Sequence, residues 1–453
     1  MRRFPLSFLA CLVIYASYAQ PAIMPHILPL KDRATTMDQV LEERFHRLLP
    51  KIMEEEGIDM WLVIAREYNE DPIIRTMLPS TWLSARRRTI LAIYHEPGSD
   101  SVEGQAIARY NVGNIFASAW KPEEEPDQWK RLAAVIAEKN PEKIGINISE
   151  TFNHADGLTS TEHQAFLNSL SKKFQNRVIS AETLAVRWLE TRTNTELAIY
   201  EQVCRIAHTI IAEGLSEKVI QPGVTTNEDV KWWYRERIAG LKLQAWFHPS
   251  VDIIRADPET DEASRSFAAQ TTPNEGVIMP GDMIHIDFGI TYLRLNTDMQ
   301  QNAYVLKPGE TAPPQGLVKA LEKGNRLQDI LTSHFEEGRT GNEALRLTRQ
   351  QAIDEGLVPS IYSHPIGYHG HAAGPAVGMW DNQEGVPSGE HKIYNNTCYA
   401  IELNTRVKIP EWNNKEIRMM LEETAVFKDG KVHYIDGRQR EMMLIPRQSL
   451  NMQ

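Results

Sequence analysis

The first half of the chain alternates helical and strand-like patterns of apolar residues. Apolar positions recur at helical spacing over residues 37–58, and a continuous apolar run at 60–64 follows directly. This order predicts a helix that leads into a buried strand. The alternation continues with predicted strands at 89–94, 106–112, 143–148 and 177–179, and predicted helices at 126–138 and 162–171. The first half is therefore predicted to have an α/β fold.

The pattern changes near residue 190. The polar segment 192–196 precedes a long amphipathic helical pattern, and a further helix is predicted over 227–238. Beyond Val277 strands and turns dominate, with two more helices predicted around 317–335 and 342–355. The sequence therefore predicts an α/β N-terminal domain over 35–189 and an α+β C-terminal domain over 190–453.

The composition agrees with two globular domains. Of the 453 residues, 42% are hydrophobic and 24% are charged, which is enough apolar material for a core in each domain. The 49 lysines and arginines against 60 aspartates and glutamates give a net charge of −11. This charge argues against nucleic acid as a partner, because binding to its phosphate backbone relies on cationic side chains. It leaves open whether some of the 60 carboxylates converge on a site.

Residues 1–19 have the pattern of a secretory signal peptide. Two arginines precede an apolar stretch over 4–15, and small residues follow up to Ala19. A lipoprotein signal that ends at Cys11 is a rival interpretation, but the apolar run continues past that residue. We expect export to the periplasm or the extracellular space. No later apolar run is long enough to cross a bilayer, so we expect no membrane segment in the mature chain.

Removal of the signal would leave two cysteines, Cys204 and Cys398. An exported compartment permits a disulfide, but two cysteines in a chain of this length do not form a disulfide scaffold. Cys204 lies in a helical pattern, and Cys398 precedes an apolar strand. Two buried free thiols are therefore the favoured interpretation.

Asp287 is a carboxylate in the middle of an apolar strand pattern. Ile284, Ile286 and Phe288 surround it, and an ionised carboxylate there costs several kcal/mol unless it is paired or bound to a metal. Two strands joined across a turn could bring Asp287 and Asp298 onto one face. Chance, or a turn-capping role for Asp298, would explain the same pattern.

A histidine-rich segment and two further acids extend this candidate site. His364, His369 and His371 lie among glycines, which let the backbone approach a site closely. Glu402 and Glu422 each lie in an apolar strand pattern, although singly either acid could be an edge-strand charge that faces solvent. Together, four such acids and one histidine favour a site for two metal ions.

The order of these residues resembles the metal ligands of a known family. Asp287, Asp298, His364, Glu402 and Glu422 match in turn the five ligands of the M24 metallopeptidases, which include methionine aminopeptidase, Xaa-Pro aminopeptidase (aminopeptidase P) and prolidase. Residues 40–64 resemble the start of a creatinase-type N-terminal domain, and Thr195-Glu196 resembles the opening of the catalytic domain. The resemblance implies a "pita-bread" catalytic domain, and the two-domain layout favours the Xaa-Pro aminopeptidase and prolidase branch.

The resemblance also implies a role for each residue. The residue matching Asp287 chelates one ion, those matching Asp298 and Glu422 bridge both ions, and those matching His364 and Glu402 complete the shell of the second. A hydroxide shared by the two ions would attack the peptide bond, with Glu402 as the proton acceptor and His371 in contact with the substrate. Oxygen-rich ligation favours Mn²⁺, with Zn²⁺, Co²⁺ and Fe²⁺ as alternatives.

The implied activity is that of an aminopeptidase whose peptide substrate has proline at the second position. A prolidase-type dipeptidase is the closest alternative. A metal-independent C–N hydrolase of the creatinase kind is disfavoured by the five intact ligands, and a non-catalytic binding protein would be expected to have lost ligands. Because the family commonly dimerises, a homodimer is a further expectation.

The departures from the family pattern lie around the ligands. Gln270 stands where a substrate-contacting histidine is usual, and Gln301 and Met420 stand where arginines are common. Glu402 is followed by Leu-Asn rather than Pro-Gly. These changes concern substrate recognition rather than metal binding.

Three further histidines have two interpretations each. His248, in the segment Trp246-Phe-His-Pro249, could help to line a pocket for a proline ring, or the segment could belong to the core. His285, two residues before Asp287, could orient a ligand or simply pack against the neighbouring sheet. His369 could support the site from behind or be an ordinary loop histidine.

Overall fold

The computed structural model describes residues 23–256 and 276–447. The predicted signal peptide at 1–19 and the candidate residue Gln270 lie outside these ranges. Within the described residues, no helix is long and apolar enough to span a bilayer.

The first half contains a six-stranded mixed sheet, in agreement with the predicted α/β fold. Its strands are β1 Met60–Arg66, β2 Arg88–His95, β3 Val102–Ile107, β4 Ala117–Ser118, β5 Ile144–Ile146 and β6 Val178–Ser180, in the spatial order β4-β3-β2-β1-β5-β6. The strand predicted at 106–112 begins earlier and ends at Ile107. The reason is its pairing, since β2 and β3 form an antiparallel hairpin in which His95 lies opposite Val102.

Helices pack on both sides of this sheet and bury most of its apolar residues. They are α1 Leu30–Glu43, α2 Leu49–Glu56, α3 Pro72–Met77, α4 Gln128–Lys139, α5 Ser160–Ser169, α6 Lys172–Gln175 and α7 Glu182–Glu190. A π-helical turn, Arg44–Leu48, joins α1 to α2, so the single helix predicted over 37–58 is continuous. The sequence pattern missed α7, a helix of nine residues whose span from Leu184 to Glu190 is fully buried, including the polar residues Arg187 and Glu190.

In the part of the second half that the structure describes, there are four α-helices and three sheets of three or four strands. Its helices are α8 Asn194–Gly214, α9 Asn227–Gly240, α10 Gln315–Ser333 and α11 Gly341–Asp354. One sheet has the order β19-β11-β8-β7, with β7 Ser250–Ile254, β8 Met283–Phe288, β11 Met299–Val305 and β19 Met443–Ile445. A small hairpin, β9 Thr291–Tyr292 and β10 Leu295–Asn296, lies between β8 and β11.

The chain passes back and forth between the other two sheets. One contains β13 His364–Pro365, β14 Thr397–Ala400, β17 Thr424–Lys428 and β18 Lys431–Tyr434, and the second contains β12 Pro359–Ile361, β15 Leu403–Ile409 and β16 Lys415–Leu421. The chain leaves the first sheet after β14 and returns to it after β16. Glu402 and Glu422 lie at these two crossings, and not inside strands as predicted. Both acids remain anchored by backbone hydrogen bonds, since the carbonyl of Glu402 accepts from the N–H of Tyr362 at 3.2 Å and Glu422 forms a β-bridge with Gln300.

A buried ion-pair cluster joins the two halves of the chain. Glu196 at the start of α8 contacts Arg44 at 2.6 Å and Arg192 at 2.9 Å, and all three side chains are almost fully buried. Cys204 and Cys398 are buried and free, as predicted. A domain boundary near residue 190 would fall between α7 and α8, and the predicted ranges 35–189 and 190–453 remain predictions.

Candidate metal centre

Six side chains with metal-ligating atoms converge where the sheets of the second half meet. They form three overlapping groups, and in each group the ligand atoms lie within 4.8 Å of one another: Asp287 with Asp298 and Glu422, His364 with Glu402 and Glu422, and Asp298 with His364 and His371. The five residues singled out as ligands from the sequence are therefore close neighbours, and His371 adjoins them.

Strand register explains how Asp287 and Asp298 meet. In the antiparallel pair β8 and β11, Asp287 lies opposite Gln300, not opposite Asp298. Asp298 precedes Gln300 by two residues, so its side chain lies on the same face as that of Gln300, diagonal to Asp287. The predicted shared face is thus present, but with a diagonal relation between the two acids.

The cluster holds more negative charge than the described side chains neutralise. Nε2 of His364 lies 3.7 Å from Oδ2 of Asp298 and 3.8 Å from Oε1 of Glu422, too far for a hydrogen bond. Burial, reinforced by the neighbouring carboxylates, raises the pKa of Asp298, Glu402 and Glu422 well above the usual range. Burial also raises the pKa of Asp287 to about 6 and lowers that of His364 to about 3. Neutral imidazole and carboxylate oxygen are the forms that bind metals.

Several of these ligand atoms are buried without a hydrogen-bond partner. They are Oδ1 of Asp287, Oδ1 of Asp298, Oε1 of Glu422 and Nε2 of His364. Buried polar atoms are normally paired, and an unpaired group points to a missing ion or water. Oxygen-rich ligation with one imidazole fits hard or borderline divalent cations. The residues present therefore fit a metal centre.

Gln300 forms hydrogen bonds with two acids of the cluster, and the sequence interpretation missed this residue. Its Nε2 donates to Oε1 of Glu402 at 2.9 Å and to Oε2 of Glu422 at 3.0 Å. Its Oε1 lies 3.0 Å from Nε2 of His285, whose Nδ1 lies 3.4 Å from Asp252. The sequence signal that could have identified Gln300 is its position two residues after Asp298, at the start of a strand. Of the two interpretations of His285, the contact with Gln300 favours an orienting role.

Trp246 forms one wall of the site. Its indole Nε1 donates to the carbonyl of Thr297 at 2.9 Å, and its ring meets that of His371 edge-on at 5.2 Å. A Cβ atom at Gly370 would lie within 2.4 Å of the Trp246 ring, so glycine permits this packing. The side chain of His371 is exposed, which leaves it accessible from solvent beside the cluster.

The remaining predicted contacts lie elsewhere. His248 is exposed and contacts α9, with its ring 5.3 Å from Trp232 and its Nδ1 3.3 Å from Arg235. His369 packs against His154 at 4.4 Å between ring centroids, and burial lowers its pKa to about 3. Neither residue belongs to the six-residue cluster, and the substrate contacts suggested for His248 and Gln270 stay predictions.

The comparisons with known proteins agree with this fold. The model of metallopeptidase family M24 matches residues 198–430, and the chain belongs to this family. No curated protein sequence matches the chain. The prediction of an M24 metallopeptidase with a pita-bread catalytic domain and an α/β N-terminal domain is therefore confirmed.

Solved structures of the same architecture extend over most of the chain. An X-Pro aminopeptidase from Thermotoga maritima MSB8 has a TM-score of 0.59 at 16% identity, covering 86% of this chain and 98% of its own. An Xaa-Pro dipeptidase from Bacillus anthracis has a TM-score of 0.56 at 17% identity, covering 92% and 100% respectively. A prolidase from Pyrococcus furiosus has a TM-score of 0.53 at 16% identity, covering 86% and 100%. At such identities the likeness establishes the fold. Members of the M24 family bind divalent metals, and the acidic and histidine cluster described above can bind them.

Proposed function

We propose that the protein is an exported Xaa-Pro aminopeptidase that works with two divalent cations. The observation that carries this proposal is the convergence of five ligand-type side chains, four of which keep a buried ligand atom without a hydrogen-bond partner. Asp287, Asp298, His364, Glu402 and Glu422 would hold the cations. Mn²⁺ is the favoured ion because four of the five ligands supply oxygen.

Divalent cations, when bound, supply Lewis acidity toward the scissile carbonyl and lower the pKa of a water ligand. The chain's own residues carry the remaining tasks. Glu402 would accept the proton of the attacking water, because one of its oxygens is held by Gln300 and the carboxylate lies at the edge of the cluster. His371, exposed beside the ligands, would donate a hydrogen bond to the substrate carbonyl. Trp246 would exclude water from one side of the peptide.

The decisive test measures metal content and peptide specificity together. Purified protein should bind close to two Mn²⁺ ions per chain in isothermal titration calorimetry, and His364→Ala should lose at least one of them. His433→Ala, an exposed histidine in β18, is the matched control. Absence of metal binding by the wild-type protein would overturn the proposal.

The range of peptides that the protein cleaves distinguishes an aminopeptidase from a prolidase. The Mn²⁺-loaded protein should release the first residue from X-Pro-Y tripeptides and longer peptides, and act less well on peptides without proline. Cleavage restricted to X-Pro dipeptides would identify a prolidase instead. Cleavage of non-prolyl amides alone would retain the metal centre but remove the prolyl specificity.

Export and assembly need separate measurements. We propose cleavage of the signal after Ala19, so N-terminal sequencing of the mature protein from its native host should begin at Gln20. We also propose a homodimer, which light scattering of the purified protein should detect as twice the mass of the mature chain. A full-length N-terminus in the exported fraction or a monomeric mass would contradict these two points.

A further inference from the structure

A large cavity opens beside the metal centre. Its volume is about 800 Å³, and it lies between α1, the chain after α3, the β9–β10 hairpin and the segment Tyr368–Gly370. Trp246 lines this cavity and also contacts His371, so the cavity and the candidate metal centre share a wall. A cavity of this size holds a ligand of several residues rather than one side chain.

The charged residues that line the cavity all have one sign. They are Arg33, Arg75, Lys242 and Arg294, and none of the described lining residues is an aspartate or glutamate. Of these four cations, only Arg75 has a carboxylate of a described residue within 4 Å, namely that of Glu70 at 3.3 Å. The protein as a whole has a net charge of −11, so this concentration of cations contrasts with the rest of the chain. Clefts lined by one sign of charge attract ligands of the opposite sign.

Backbone carbonyls hold two of these cations in place. Arg33 donates to the carbonyl of Leu28 at 2.7 Å and to that of Lys242 at 2.5 Å. Arg294 donates to the carbonyl of Leu78 at 2.9 Å, and its side chain is half-buried. Carbonyls position a guanidinium without neutralising its charge, and they leave other N–H groups available to a ligand.

Arg294 lies in the turn of the β9–β10 hairpin. Leu293 and Arg294 form its two-residue turn with φ values of 53° and 67°, a left-handed conformation that usually requires glycine or asparagine. Lys242 also has a left-handed φ, of 56°, in the turn that ends α9, where its N–H donates to the carbonyl of Ala239 at 2.9 Å. Two of the four cations thus lie on backbone that the sequence does not favour.

We propose that this cavity binds carboxylate groups of the peptide substrate downstream of the scissile bond. The inference rests on the proposed aminopeptidase function, in which only one residue precedes that bond. The longer, downstream part of the peptide must therefore occupy any extended space that adjoins the site. The carboxylate comes from the C-terminus of a short peptide or from acidic side chains of a longer one, since both present the same group to arginine.

The first test compares peptides that differ in one charge. Pentapeptides Ala-Pro-Gly-Xaa-Gly with Xaa as Glu, Gln or Lys, each with a free or amidated C-terminus, are hydrolysed by the Mn²⁺-loaded protein. We expect the Glu peptide to have a KM about tenfold below that of the Gln peptide, a difference of one charge-assisted contact. If the C-terminus supplies the carboxylate, amidation produces the same loss and the side chain has no effect. Equal KM values across the series would overturn the proposal.

The second test removes a cation. In Arg294→Met the tenfold KM ratio found in the first test, either Gln against Glu or amidated against free C-terminus, should fall to about one. Lys242→Met serves as a second variant should the first fail to fold. Arg346→Met, at an exposed arginine on α11, is the control and should keep the full ratio. A ratio that persists in both cavity variants contradicts the assignment.

A binding measurement separates this inference from the proposed function. The chelator-treated protein is titrated calorimetrically with the amidated Glu and Gln pentapeptides, which needs no hydrolysis. Stronger binding of the Glu peptide, lost in Arg294→Met, supports the carboxylate site even if no prolyl peptide is cleaved. Equal binding of these two peptides and of the free-acid Gln pentapeptide, together with normal hydrolysis, would overturn the carboxylate site and leave the aminopeptidase proposal intact.

Discussion

The side-chain amide of Gln300 lies 3.0 Å from Oε2 of Glu422, while Oε1 of the same glutamate is buried without a hydrogen-bond partner. The two oxygens of Glu422 thus have different environments. The amide holds one oxygen, and the other points into the cluster, 3.8 Å from Nε2 of His364. Gln300 holds Glu402 in the same way, so one glutamine fixes two proposed ligands.

Replacement of Gln300 by leucine should weaken metal binding by about 10- to 100-fold, the usual cost when a group that orients ligands is lost. Leucine has a similar size but cannot donate to Glu402 or Glu422. Calorimetric titration with Mn²⁺ measures the change in Kd. Gln350→Leu, an exposed glutamine on α11, is the matched control. An unchanged Kd in Gln300→Leu would remove the orienting role.

Asp298→Asn should stabilise the metal-free protein and destabilise the metal-loaded one. Burial and the neighbouring Asp287 and Glu402 raise the pKa of Asp298, so its ionised form opposes folding near neutral pH. Removal of that charge should add about 1–2 kcal/mol to the free energy of unfolding without metal. Thermal unfolding with chelator and with Mn²⁺ measures both effects, and Asp381→Asn at an exposed aspartate is the control. A lower Tm in chelator would contradict this account.

The ion pairs of His208 lead us to expect a loss of stability at alkaline pH. Burial alone lowers its pKa, but the charges of Glu423 at 2.8 Å and Asp436 at 2.9 Å outweigh burial and raise the pKa to about 10. Since the folded-state pKa exceeds the unfolded value of about 6.5, the stabilisation is complete below pH 6.5 and is lost as the pH rises toward 10.

Chemical denaturation of the wild type and of His208→Gln between pH 6 and 10 tests this linkage. The difference in the free energy of unfolding should shrink across this range, by at most about 1.4 kcal/mol per pH unit. His433→Gln, at an exposed histidine, should show no such trend. A pH-independent difference would mean that His208 is neutral in the folded protein.

Glu196→Gln should cost about 3–5 kcal/mol of stability, because it leaves the buried Arg44 and Arg192 without their carboxylate. Denaturant unfolding followed by circular dichroism measures the loss. The exposed Glu201 on the same helix provides the control, and Glu201→Gln should change stability by less than about 0.5 kcal/mol. Equal effects of the two variants would mean that the cluster contributes no more than a surface charge.

The sequence by itself determined the type of fold and the candidate ligands. Helical and strand periods along the first half predict its α/β character, and they miss short helices such as α3 with six residues and α7 with nine, which span too few turns to establish a period. Acids in apolar patterns and a histidine-rich segment favoured a site for two metal ions, because an apolar neighbourhood leaves a carboxylate few alternatives to a metal or a partner. The resemblance to the M24 family implied which five residues are the ligands.

The tertiary structure alone decided how these residues are supported and what surrounds them. The crossings that turn Glu402 and Glu422 inward depend on which sheet each strand joins, and the role of Gln300 depends on the register of β8 with β11. The cationic cavity combines Arg33 and Arg294, which are more than 250 positions apart. Local patterns report burial and periodicity along one segment. Contacts between distant segments depend on how whole sheets and helices pack, and no single segment carries that information.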